Sequence, residues 1–204
     1  MKIYRAVTTL LFSALLCSYA LSNDDIPNDR AIRLMLTAIE FKDDRKLLVQ
    51  HGEKIFPSFE RILADRDANS TELTRLFIVL SALKADRSRF LEPAVTKLSH
   101  SDKSVRRVAV SFLGEIGSER DASPIVALLA DEEFTVGVSA AKTLSTIGGP
   151  RELAALNVWL TVTKPETYSK EWQGRYDSLR RNVTNSRDAL KARLDKEKAT
   201  KPRP

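Results

Sequence analysis

Cysteine occurs once in the 204 residues and histidine twice. Cys17 lies in an apolar leader, and without it the chain holds no thiol and no disulfide. Stability must then come from packing alone, and thiol chemistry is excluded. His51 and His100 stand in different parts of the chain, in no spacing that presents two metal ligands on one helical face. A zinc site is not expected, and both read as surface residues at helix ends. Glycine and proline are few, and no Gly-rich phosphate loop, nucleophile elbow or serine paired with a nearby histidine is present. Hydrolase and nucleotide-dependent chemistry lose their support. The chain also lacks a run of alternating apolar and β-branched residues long enough to suggest a sheet, which favours helices.

What is there begins with a leader. Lys2 and Arg5 precede an uncharged stretch from Ala6 to Ser22, and the first acidic residue is Asp24. A charged start, an apolar middle and small residues at Ala20 and Ser22 are the three regions of a secretory signal, with cleavage expected after Ser22 and after Ala20 as the lesser alternative. The stretch is short for a bilayer core that takes roughly 20 residues, so a retained anchor is the lesser alternative. Lipidation of Cys17 is also the lesser reading, because Leu16 stands where such signals resemble one another in having a small residue. Export to the periplasm or beyond the cell is the expectation, with no transmembrane helix after cleavage.

Charge is spread unevenly. Residues 23–163 carry 19 basic and 21 acidic side chains, whereas residues 164–204 carry 12 and 6. The near-neutral body argues against nucleic acid as a partner.

Comparing the chain with itself exposes a period of 31 residues, which places Val105 on Val136, Ala109 on Ala140, Leu113 on Leu144, Ile116 on Ile147 and Gly117 on Gly148. Ile125 falls on Leu156, Leu128 on Trp159 and Leu129 on Leu160. Val105, Ala109, Phe112, Leu113 and Ile116 share one helical face. Gly117 then ends the helix, in the left-handed conformation that closes many helices, and Asp121 or Ser123 caps the next, with Pro124 in its first turn. The unit is a helical hairpin whose apolar faces are covered only by stacking on its neighbours. Earlier, Leu73, Leu76, Phe77, Leu80 and Leu83 precede Pro93, Val95 and Leu98. A first hairpin joins Ile32, Met35, Leu36 and Ile39 to Ile55, Phe56, Phe59, Ile62 and Leu63 around Pro57. Four hairpins result, with a boundary loop from Asp65 that ends in the caps Ser70 and Thr71.

Asp102, Ser104-Val105-Arg106-Arg107, Ala109, Leu113-Gly114, Ile116-Gly117, Pro124 and Leu128-Leu129 together resemble a HEAT repeat of the short bacterial type, also called the phycobilisome-lyase HEAT-like repeat. The resemblance is strong over residues 102–162 and holds in outline over 28–100. The unit starting at Glu133 departs from it, with Gly137 where the family has arginine and Ser145 where it has glycine. What the resemblance implies is an all-α solenoid that binds other macromolecules. It also implies that Arg106 bridges adjacent units, with Asp102 and Glu133 as candidate partners. Bilin attachment is assisted by some HEAT-like proteins, so a lyase-like enzyme or helper with a site dispersed over several repeats is the alternative. The acidic clusters Asp43-Asp44 and Asp131-Glu132-Glu133 read as charge at helix starts rather than as calcium sites.

After the repeats, at residues 164–195, Thr163, Lys164, Pro165 and Glu166 read as a capping box, and Trp172, Tyr176, Leu179 and Val183 form one helical stripe. A terminal capping helix backed by Arg175, Arg180 and Arg181 is expected, prolonged by Leu190 and Leu194 after a break near Asn182 to Ser186. The basic residues of this segment could instead face an anionic membrane surface, although they are mixed with Glu171, Asp177, Asp188 and Asp195. Lys196 to Pro204 reads as a disordered tail. Taken together, the residues predict a non-catalytic interaction or scaffold module for a protein partner, without cofactor or metal. Its contact surface is expected on the second helices of the hairpins, where in-register Val95 and Val126 are the candidates for contact, with packing between neighbouring units as the favoured alternative for both.

Overall fold

Apolar residues three and four apart decide where the helices lie, and capping side chains decide where they start. The computed structural model describes residues 26–38, 41–164 and 169–200, and among them every regular element is helical. Residues 1–22, with Cys17 and the expected cleavage site, lie outside the described residues, as do Ile39, Pro165 and Glu166. The chain divides into two compact units, one ending at Ala85 and the other beginning at Asp86.

In the first unit, helix α1 (Asp29–Thr37) starts at Asn28, whose side chain accepts from the Ala31 amide at 3.0 Å, and it buries Ile32 and Leu36. Helix α2 (Phe41–Gln50) follows. It was not expected inside the first hairpin, because its only buried residue is Leu48 and so its apolar pattern is faint. A short 3-10 turn (Gly52–Ile55) leads into α3 (Phe56–Ala64), which buries Phe56, Phe59, Ile62 and Leu63 with Pro57 in its first turn. Helix α4 (Ser70–Ala82) buries Leu73, Leu76, Phe77, Val79 and Leu80. Its cap is Asn69 rather than Ser70 or Thr71. The Asn69 side chain accepts from the Glu72 amide, and Glu72 accepts in return from the Asn69 amide, a reciprocal box that neither hydroxyl could complete. Helix α1 packs on α2, α3 and α4. Each fully buried Leu, Ile or Phe in this core contributes roughly 2 kcal/mol by leaving water.

The second unit opens with a 3-10 turn (Ser88–Phe90), helix α5 (Leu91–Thr96) and another 3-10 turn (Lys97–Ser99). Helix α6 (Lys103–Ile116) follows and buries the expected stripe of Val105, Ala109, Phe112 and Leu113, together with Val110. The segment after it is two 3-10 turns, Glu119–Asp121 and Ser123–Ala130, in place of the α-helix read from the pattern. Helix α7 (Phe134–Ile147) and helix α8 (Pro150–Val162) complete the last hairpin. Helices α6 and α7 pack side by side, with Ser123–Ala130 against α7 and α8, which is solenoid stacking within this unit.

Two local expectations are corrected here. Gly117 is extended (φ −78°, ψ 175°), not left-handed. Glycine is needed there for room, because a Cβ would sit 2.6 Å from the Leu113 carbonyl oxygen, and 2.5 Å from that of Leu144 at Gly148. The cap after Gly117 is Ser118, whose amide and hydroxyl both donate to Asp121 at 2.8 Å.

Helix α9 (Lys170–Thr200) runs without a break and packs along α7 and α8. Tyr176, Leu179, Val183, Leu190 and Leu194 are buried, and Ser186 fills the place between them, so the stripe continues through the expected interruption. Lys196 to Thr200, expected to be disordered, are helical.

Candidate protein-interaction face

Arg106, on the first turn of α6, has a side chain only 8% exposed, and the Asp131 side chain it meets is 5% exposed. Its Nε and Nη2 donate to the two Asp131 carboxylate oxygens, both at 2.8 Å. Nη2 also donates to Glu132 at 3.3 Å, and Nη1 to the carbonyls of His100 and Ser101 at 2.9 Å. Every N–H of the guanidinium is used, so none is left for a ligand. The Asp131 hydrogen bonds hold the Arg106 pKa above its ordinary range.

The side chain therefore clamps the loop before its own hairpin to the loop after it. The expected partners Asp102 and Glu133 do other work. Asp102 caps α6, accepting from the Ser104 amide at 2.7 Å, and Glu133 pairs with Lys103 at 2.9 Å. The planar fork of Arg106 matches the buried carboxylate at the end of its own second segment, and Asp102 is committed to the Ser104 amide.

Positions 31 residues apart follow the same logic. Arg75, one period before Arg106, donates to the carbonyls of Leu36 and Ala38 and stacks over Phe41, 4.7 Å from the ring centre. One period after Arg106 stands Gly137, where a Cβ would lie 3.3 Å from Leu179 of α9. The last hairpin thus gives up its arginine because the terminal helix occupies the space. Gly114 likewise leaves room for Thr143, 2.9 Å from where a Cβ would be, whose hydroxyl donates to the Val110 carbonyl at 3.1 Å. Ser145, one period on from Gly114, is half-buried and donates to the Lys142 carbonyl.

Three arginines of α9 help to attach it. Arg180 donates to the Thr163 carbonyl at 2.9 Å, which also accepts from the Tyr176 hydroxyl, and the Tyr176 ring stacks on Trp159. Arg193 donates to the Gly148 carbonyl and to Glu197, and Arg187 to Asp188 and Asn157. Arg175 lies over the Trp172 ring. On the outer side, exposed Asp177, Arg181, Asp188, Lys191 and Asp195 alternate in sign at spacings of three, four and seven residues, which keep them on one side of the helix, the pattern of a solvated helix face.

The second segments of the last two hairpins differ from this. No charged residue occurs from Ser123 to Ala130, or from Leu153 to Val162. Their exposed positions repeat with the period of 31: Ser123 with Ala154, Ala127 with Val158, and Ala130 with Thr161. The same row includes exposed Thr96 on α5 and Ser99 after it. Val158 and Val162 are 59% and 66% exposed, high for β-branched apolar residues in a protein with 29% charged residues. Val95 and Val126 are half-buried, one residue off the exposed row. The periodicity held the signal: shifting either valine by one position lands on the residues that face solvent.

Residues 79–167 match the family model of HEAT repeats. A comparison with curated proteins gives no match. The matched HEAT segment includes Arg106, Asp131, Gly137 and the uncharged exposed rows described above, and HEAT repeats generally serve as protein-interaction scaffolds.

Among the described residues no group of three or more His, Cys, Asp or Glu is placed to hold a metal ion, and no helix is long and apolar enough to cross a membrane. In the first unit a shallow open groove is lined by Ile26, Asn28, Asp29, Lys54, Pro57 and Arg61. Within this lining Arg61 pairs with Asp29, at 2.6 and 2.7 Å.

Proposed function

We propose that this chain is a non-catalytic protein-interaction or scaffold module that acts in the cell envelope or outside the cell. Its contact surface is the exposed face of Ser123–Ala130 and of Leu153–Val162 on α8. The observation that carries this reading is the absence of charge from Ser123 to Ala130 and from Leu153 to Val162, in contrast to α9, whose exposed outer side carries charges of both signs. Uncharged, small and apolar residues on a packed support give up little hydration when a partner covers them, and charged groups give up far more. Export is supported by the leader alone, with Lys2 and Arg5 before an uncharged stretch.

The test is a pair of substitutions on exposed positions, Ala127→Glu and Val158→Glu, made in the mature chain beginning at Asn23. Neither side chain is part of the core, so helicity by circular dichroism should be unchanged. The expected outcome is loss of at least tenfold in affinity for the protein that co-purifies with the native chain from the cell envelope, since each buried unpaired carboxylate costs more than about 1.4 kcal/mol. Undiminished affinity in both variants would place the contact on another face.

A further inference from the structure

We draw no further inference here: the strongest candidate, the uncharged outward face of Ser123–Ala130 and Leu153–Val162 with its exposed Val158 and Val162, belongs to the surface already described, and nothing in the structure shows what covers it.

Discussion

Arg106 and Asp131 form a hydrogen-bonded ion pair in which both side chains are more than nine-tenths buried. Removing one member strands the other charge, whereas replacing both with apolar groups of similar size removes the stranded charge as well. Arg106→Met should therefore lower stability to urea by about 3 kcal/mol, and Arg106→Met with Asp131→Leu by clearly less than the sum of the two single changes. Equal and additive losses in a double-mutant cycle would mean the pair has no coupling. Asp29 gives a second test at this scale. The Arg61 guanidinium, hydrogen-bonded to it, lowers its pKa from 3.8 to about 2, with Ser58 as the next cause. A carboxylate depressed in the folded state adds stability that is complete above its unfolded value of 3.8 and is lost as pH falls through about 2. The thermal midpoint of Asp29→Asn should accordingly lie below that of the native chain at neutral pH and meet it near pH 2. A gap that persists undiminished at that pH would show that Asp29 acts by some means other than its charge.

At the scale of elements, the arrangement turns on where glycine replaces arginine. Helix α9 can lie on α7 because Gly137 has no side chain, with Leu179 at 3.3 Å from the Cβ position. Gly137→Leu should push α9 away, cost about 1–3 kcal/mol in overpacking and expose bonds after Arg180 and Arg187 to trypsin. Unchanged stability and unchanged proteolysis would mean that α9 does not rest there. This helix also shows how far the sequence could be read. The 31-residue period and the stripes of α6 and α7 were legible, since repetition in one face is enough to place a packed helix. Gly137 was legible only as a departure, because its reason lies in Leu179, more than a helix away in sequence. Asp131 was passed over for the same reason. In the sequence it reads as one of three acidic residues at a helix start, and only the fold brings it to a buried arginine 25 positions earlier. Helix α2 was missed because it buries one residue, and a single buried leucine leaves no period to detect.

For the whole molecule, the described helices belong to two units that each bury their own core. The stack in the second unit ends in α9, whose inner stripe is apolar and whose outer side alternates in charge. A further hairpin could not stack there without burying Asp177, Arg181 and Asp188. What the second unit leaves uncovered is the neutral face of Ser123–Ala130 and Leu153–Val162, and the proposal for function rests on it. The most direct measurement is site-specific photo-crosslinking in cells, comparing a photoreactive residue at Ala127 or Val158 with one at Ser111 or Thr146. All four positions are exposed, the last two on the first helices α6 and α7. The account predicts one crosslinked protein species from Ala127 and Val158 and none from Ser111 or Thr146. Crosslinks of equal yield from both pairs of positions, or from Ser111 and Thr146 alone, would contradict it.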